Sequence, residues 1–585
     1  MSKISETLQK VKDVFLCYPL VLLMSFIMTS SVICKISESL TLRDFNQTRI
    51  IVTSSIGISL MFGLKMLVQR MGRSYLIYGL GILLLIGFYL FLPSKDKDFL
   101  PVHIYSIVVS GVLSHLLVAF APYFRKGESE KLFWEYNKNL FINFFLTIVF
   151  TGVLTGGILL AISAVDNLFG VDISEKTYFY VLMSFLIFGS TFIFLLFNNK
   201  GLETLEKEDP YPIVLKFFTQ FILIPLLLIY AVILYLYSAK ILISWTLPQG
   251  WISFMILAYS IVGILALLLV HPLKNETSKS WVKIFSRVFY YTLIPLMILL
   301  FVAIFTRFTE YGFTEPRYFV LLLAVWLSCI VAYFVFVKNS TIKFIPVSLF
   351  FFGLLSVTIP YLNVFSVSVR SQKNQLENIL NENNLLINGK IDFSKEVSYE
   401  IVDDIDSKFY YLKEHSQTAY LNQWLDEDTK SKLSETDYWY ISSYFENRIG
   451  YANINTYKNI TLKSNTNLFE IDGYKYAFVA NLYDGGEIKV NNDILKIEQN
   501  LYNKKTFRIH LNSEESIDCS PLIEKLLEEY KTEGKFLRDD VFIEFDLGKY
   551  HIKIVFDFVS KTTYEDETNY NFLARVILIK EKLDE

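Results

Sequence analysis

Residues Lys216–Ile243 read KFFTQFILIPLLLIYAVILYLYSAKILI, a stretch whose only charges are Lys216 and Lys240. In lipid a helix must satisfy its own backbone hydrogen bonds, so an apolar run of roughly 17–25 residues between polar breaks reads as a membrane span. The pattern recurs on both sides of this stretch. Spans are expected near 14–34, 50–69, 75–92, 103–124, 140–164, 177–197, 216–243, 251–271, 286–306, 318–337 and 343–364. In the second of these, Lys65 stands near enough to the end to snorkel toward the headgroups. The predicted class is a polytopic α-helical membrane protein of about eleven transmembrane helices.

Composition agrees. The chain has 585 residues, 53% of them hydrophobic and 16% aromatic, too apolar for an ordinary soluble protein of this size. A net charge of -3 excludes the strongly basic footprint that nucleic-acid binding leaves. The apolar blocks stop near residue 364, and charged and amide residues dominate beyond it. Two domains are expected: residues 1–368 as the transmembrane part and 369–585 as a soluble one.

Cys17, Cys34, Cys329 and Cys519 form no close pair, so neither a disulfide framework nor a zinc knuckle is expected. The run from Val14 to Cys34 follows Lys3, Lys10 and Lys12 as a signal peptide would. It is too long for a signal core and lacks a small-x-small site, and Ile33 before Cys34 spoils a lipoprotein motif, so an uncleaved helix is expected. With the amino terminus in the cytoplasm, alternate connections carry Arg70 and Arg73; Arg125, Lys126, Lys131 and Lys138; Lys200, Lys207 and Lys216; Lys274, Lys279, Lys283 and Arg287; then Lys338 and Lys343. By the positive-inside rule about 18 basic residues lie inside against about 8 outside. An odd number of spans then places the carboxy-terminal domain outside the cytoplasm.

Within the spans, Gly152, Gly156 and Gly157 read as close helix packing, and Pro19, Pro225, Pro295 and Pro360 as kinks. His115 reads as a hydrogen-bonded packing residue before a proton relay, since no acidic partner lies on neighbouring turns. Polar residues gather where the spans end on the predicted outer side. Asp166, Lys240, the loop Trp245–Trp251 and the connection Arg307–Tyr318 form this group. Arginines and carboxylates spaced so tightly pair with one another, and the structural reading is an interfacial clasp. The functional reading is a pocket for an anionic headgroup, with Arg307 and Arg317 as anion contacts and Glu310 or Glu315 as orienters. Both readings require the residues to converge.

Several stretches taken in order resemble a known bacterial family. They are Tyr18-Pro19, Phe133–Asn137, Gly156–Ala161 with Leu168–Gly170, Pro225–Tyr230 with Leu234–Tyr237 and Lys240, Leu247–Gly250, and Arg307–Tyr318. Ser368, Ser371-Gln372 and Gln375-Leu376 follow the last span in the same pattern. The chain resembles the multipass membrane proteins catalogued as domain of unknown function 4153. The resemblance implies a bacterial membrane location, here the cytoplasmic (inner) membrane, with a carboxy-terminal extramembrane part. It transfers no activity and no catalytic residue.

The soluble part begins with amphipathic helices over Ser371–Leu386 and Val397–His415, the latter with Ile401, Ile405, Tyr410 and Leu412 toward a core, and another around Tyr420–Leu425. Alternation then predicts strands. Tyr476–Tyr483 and the segment from Glu487 read as a hairpin through Asp484-Gly485-Gly486, and Val541–Leu547 and Ile552–Phe558 as another through Gly548-Lys549. A helix over Pro521–Tyr530 is expected to cover the apolar sheet face. The whole is an antiparallel α+β extracytoplasmic domain. His415, His510 and His551 have no ligand spacing and read as surface or strand residues, and Asp403-Asp404 and Glu565–Glu567 as solvated clusters. No catalytic residue, metal site or cofactor is assigned, and a phosphate-cradling glycine loop is absent. The expected partners are the bilayer and an envelope protein, and the leading function is non-enzymatic sensing, scaffolding or assembly. A transporter or flippase of an envelope component is the first alternative. An enzyme on lipid-linked substrates is the second, with Glu38 and Asp44 as its acidic candidates in the first outer loop.

Overall fold

The computed structural model describes residues 3–37, 47–72, 75–124, 129–208, 210–244, 251–272, 280–432, 441–445, 447–449, 458–465, 470–479, 486–500, 506–512, 514–528, 534–539, 541–564 and 567–582. Glu38, Asp44, the 245–250 loop and the 484–485 turn lie outside these residues. The chain divides into two compact units, residues 1–392 with 404–442, and residues 393–403 with 443–585. The first unit thus extends past the last apolar helix and, among the described residues, holds 369–392, 404–432 and 441–442.

The first unit contains α1 (Lys3–Cys17), α2 (Pro19–Ser37), α3 (Gln47–Met71), α4 (Tyr75–Phe91), α5 (Pro101–Phe120), α6 (Glu130–Phe169), α7 (Glu175–Ser184), α8 (Ser190–Phe197), α9 (Leu202–Leu205), α10 (Ile213–Phe217), α11 (Ile224–Ser244), α12 (Trp251–Leu269), α13 (Ser280–Tyr311), α14 (Glu315–Phe336), α15 (Phe344–Thr358) and α16 (Val364–Glu382). Then come α17 (Tyr399–Glu414), whose last eleven residues belong here, α18 (Thr418–Asn422) and α19 (Glu427–Lys432). Wide π-helical turns over 185–189 and 218–223 join α7 to α8 and α10 to α11.

Among the described residues nine helical runs are long and apolar enough to cross a membrane, beginning with Pro19–Ser37 and ending with Glu315–Phe336. Two further apolar helices, Tyr75–Phe91 and Phe344–Thr358, are shorter. At 1.5 Å per residue they reach only about 26 and 22 Å, less than the hydrocarbon thickness of roughly 30 Å. Outward faces are apolar: on α6, Phe144, Phe145, Phe150 and Val153 are all more than half exposed. A face of this kind is suited to lipid rather than water.

Proline decides one boundary. The expected first span is in fact two helices, parted at Tyr18 because Pro19 disfavours helical backbone at the residue before it. The expected fifth span is the latter part of a single 40-residue helix, α6, which already includes Phe133–Asn137. Those residues act as staples. Trp134 Nε1 donates to the Leu268 carbonyl at 2.7 Å, Tyr136 Oη to Val118 at 2.9 Å and Asn137 Nδ2 to Ala119 at 3.1 Å. Glu135 and Lys138 form a buried ion pair at 2.6 Å. His115 Nδ1 donates to the Gly111 carbonyl at 2.8 Å, one turn back, on an exposed face.

One core joins Tyr18, Phe62, Phe120, Phe133 and Leu195, and another joins Leu234, Ile256, Phe289, Leu300, Trp326 and Ile330. In the second core, Gly263 lets α12 approach α13 closely, since a Cβ there would fall 2.1 Å from the Phe289 ring.

The second unit is β-rich. A six-stranded sheet runs β11 (Gly534–Arg538), β5 (Lys458–Ser464), β13 (Tyr550–Tyr564), β14 (Glu567–Glu581) and β6 (Tyr476–Val479), with β12 (Phe542–Leu547) also on β13. A four-stranded sheet runs β10 (Glu515–Asp518), β9 (Thr506–Leu511), β8 (Asp493–Asn500) and β7 (Gly486–Val490). Of the shorter strands, β1 (Leu386–Ile387) pairs with β2 (Lys390–Ile391) in the first unit, and β3 (Glu396–Ser398) pairs with β4 (Asn447–Ile449) here. Pairing is antiparallel except between β11 and β5 and between β3 and β4. The hairpin through Gly548-Lys549 forms as expected, with Gly548 at φ 56°. The described residues of the other expected hairpin do not pair with each other. β6 pairs with β14 and β7 with β8, so the two segments join different sheets. Alternation locates strands but carries no information on which strand is the neighbour. Helix α20 (Ser520–Glu528) presses Ile523 and Leu527 into the core of both sheets, beside buried Cys519.

Asp493 ties this unit together. Its carboxylate takes Lys549 Nζ at 2.8 Å, Asn512 Nδ2 at 2.6 Å and the hydroxyl of fully buried Tyr550 at 2.8 Å. These donors, Lys549 first, hold its pKa down to about 2. A carboxyl whose folded pKa lies below its unfolded value stabilises above that unfolded value and loses its contribution as pH falls through the folded one. The melting temperature of the β-rich unit is therefore expected to drop between about pH 4 and pH 2. Asp493→Asn should melt lower at neutral pH and show a shallower acid drop, and an identical acid drop in the variant would refute the assignment.

Candidate functional site

The connection between α13 and α14 is a turn of three residues at the ends of two long apolar helices. Gly312 adopts φ 69°, a left-handed conformation that favours glycine, and this reverses the chain. Phe308 and Phe313 stack across the turn with ring centroids 4.0 Å apart.

Arg307, Glu310 and Arg317 converge there around the Tyr311 ring. Arg307 and Arg317 hold their guanidinium carbons 5.6 and 5.2 Å from its centroid, within cation–π range. Arg307 reaches Glu310 at 3.4 Å, and Arg317 donates to the carbonyls of Tyr311 and Gly312 at 3.1 and 2.9 Å. Both arginines line a cavity of about 410 Å³ between the ends of α12, α13 and α14. Its walls include Phe254, Ala303, Phe308 and Val320, with Ser253 and Thr314 as the other polar residues.

Glu315 turns the other way. It is 2% exposed and its Oε1 accepts from Tyr411 Oη and meets His415 Nε2, each at 2.7 Å. The other ring nitrogen of His415 faces the Tyr411 carbonyl at 2.6 Å. A carbonyl oxygen only accepts, so Nδ1 carries a proton, and a second proton lies between Nε2 and the Glu315 carboxylate. Burial, reinforced by the Glu315 charge, pushes the Tyr411 hydroxyl well above its ordinary range, so it serves as a donor. Beside this network a smaller recess of about 270 Å³ is lined by His415, Gln417, Pro101 and Phe365.

Helix α16 closes the arrangement. Its buried stripe is Val364, Ser368, Gln372, Leu376 and Leu380, each four residues from the last. Gln372 Nε2 donates to the carbonyls of Tyr311 and Phe313 at 3.1 and 2.7 Å, and Ser371 Oγ accepts from the Phe313 amide at 2.9 Å.

Of the six residues expected at this site, the structure thus brings together Arg307, Glu310 and Arg317. Glu315 is not an orienter in the cavity but the centre of a separate buried network. Asp166 is occupied by its own helix end, accepting from the Ile173 amide and Tyr178 Oη, both at 3.0 Å. Lys240 is exposed on α11, and neither it nor Asp166 lines the cavity. The Arg307–Glu310 contact and the cavity lie at the same turn. His415, expected at a surface, has a side chain only 8% exposed, and no spacing announces a partner 100 positions away; the i, i+4 pair Tyr411 and His415 is the one local signal. His510 and His551 pair with Glu498 and Asp546 on the neighbouring strands. In α17 the buried stripe runs through Ile405, Phe409 and Leu412, which leaves Tyr410 exposed, one residue off the expected face.

A family model described as Domain of unknown function (DUF4153) matches residues 22–406, a range that holds the Arg307–Tyr318 connection and α16 but ends before Tyr411 and His415. An uncharacterized protein of Pasteurella multocida (strain Pm70) is 28% identical over 265 residues, which cover 44% of this chain and 43% of that protein. The chain therefore matches less than half the length of this curated relative. No solved structure matches the chain.

Proposed function

The chain belongs to the family described as Domain of unknown function (DUF4153), and from that premise we propose a non-enzymatic envelope protein that senses, scaffolds or assembles. It resides in the bacterial cytoplasmic membrane with its amino terminus inside and its β-rich unit outside, where an envelope protein engages it. The distribution of basic residues supports this orientation.

One observation carries the functional reading. The segment that follows the last apolar helix returns to the α13–α14 turn and is fastened to it by Ser371, Gln372, Tyr411 and His415. Buried polar bonds of this sort break or hold as a set. A displacement of α13 against α14 is then felt by residues 364–415, which lead toward the β-rich unit along the chain. Such a junction suits a protein that reports the state of its membrane part to a partner.

Protease added to intact spheroplasts is expected to cut the carboxy-terminal region of the full-length protein. The protein extracted from its own membrane in mild detergent should carry one envelope protein in fixed ratio, released by adding the purified β-rich region in excess. A protected tail would overturn the orientation, and repeated recovery of the protein alone would overturn the function.

A further inference from the structure

We propose that the cavity between the ends of α12, α13 and α14 binds the phosphate headgroup of an anionic lipid. Arg307 and Arg317 contact the phosphate, and the first methylenes lie against Phe254, Ala303, Phe308 and Val320. This inference goes beyond the envelope role and is read by a different measurement.

Charge comes first. Two guanidinium groups flank one tyrosine ring, and the carboxylate in contact with them is Glu310, 3.4 Å from Arg307. The neighbouring Glu315 is committed to His415 and Tyr411. The mouth of the cavity therefore carries a positive excess, in an apolar setting where like charges repel more strongly than in water. An anion relieves that repulsion and takes charge-assisted hydrogen bonds from planar forks suited to phosphate oxygens.

Shape and surroundings then select an amphiphile over a free ion. A volume of about 410 Å³ exceeds what a bare phosphate fills, and the walls below the arginines are apolar. Ala303 lies one helical turn, about 6 Å, from Arg307. Phe254 lines the cavity and is also 62% exposed on the apolar flank of α12, as Phe305 and Val302 are exposed on α13. An acyl chain can leave along that flank while the headgroup stays with the arginines, which is the division of labour expected of a small-molecule site with few placed polar groups.

The test uses the full-length protein in detergent, titrated with phosphatidylglycerol, with diacylglycerol and with inorganic phosphate, and bound species counted by native mass spectrometry. Wild type should retain phosphatidylglycerol, whereas diacylglycerol binds poorly and inorganic phosphate fails to displace the lipid. Arg307→Ala should weaken binding about tenfold or more, the scale of a lost hydrogen bond between charged groups. Glu310→Gln removes the competing carboxylate and should tighten binding, a gain that no folding defect imitates. Equal retention of diacylglycerol, displacement by inorganic phosphate at similar concentration, or an unchanged affinity in Glu310→Gln would each overturn the proposal.

Discussion

Replacing His415 with alanine should destabilise the helical unit by about 3–5 kcal/mol, the range seen when one partner of a buried ion pair is removed. Glu315 and His415 have side chains 3% and 8% exposed, so the carboxylate is held away from bulk solvent. The carboxylate would keep one donor, the Tyr411 hydroxyl. A second substitution separates this cause from a plain cavity. In the His415→Ala background, Glu315→Gln removes the charge that lost its partner and should restore about 1–3 kcal/mol, whereas two independent packing defects would add. Denaturant unfolding of the detergent-purified protein measures all three variants. A loss under about 1 kcal/mol for His415→Ala would mean the carboxylate finds another partner, and the proposed junction would lose its centre.

The same residues show what a sequence does and does not disclose. Apolar runs are local, and the hydropathy of each window places the long helices, the end of the apolar region near residue 364 and the turn at Arg307–Tyr318. Lengths are less local. Whether 75–92 forms a full span depends on where Phe91 meets the polar 93–100 connection, and the helix there stops at 17 residues. Pairing is not local at all. Gln372 and Ser371 stood out by resemblance, yet their partners lie about sixty positions earlier, and Glu315 meets His415 across a hundred. Nor does composition say which way a side chain turns. Glu310, Glu315 and Arg317 sit within eight residues of one another. Helix geometry sends Arg317 to the cavity and Glu315 to the opposite side, because residues two apart at a helix start do not share a face.

Gly312 provides the second strong test, since its backbone and its contacts both forbid a side chain. A Cβ there would stand 2.9 Å from Gln375 Cγ and from Ser371 Oγ, and 3.2 Å from Gln372 Nε2, at a φ of 69°. Gly72 has φ 68° with nothing within 4 Å of the same position, so it isolates the backbone contribution. Gly72→Ala should cost about 1–2 kcal/mol, the penalty of a left-handed alanine. Gly312→Ala carries that penalty and also pushes Ser371 and Gln372 off the Phe313 amide and carbonyl, leaving half-buried backbone groups unpaired at about 1–2 kcal/mol each. The expected total is about 3–6 kcal/mol, with protease cutting near α16 rising in parallel because that helix loses its hold on the turn. Truncating the crowding side chains should relieve only the second part: Gln375→Ala in the Gly312→Ala background recovers stability, and the same substitution with Gly72→Ala does not. If Gly312→Ala proved no worse than Gly72→Ala, α16 would be able to shift away at little expense. The fastening on which the proposed junction depends would then be too soft to transmit anything.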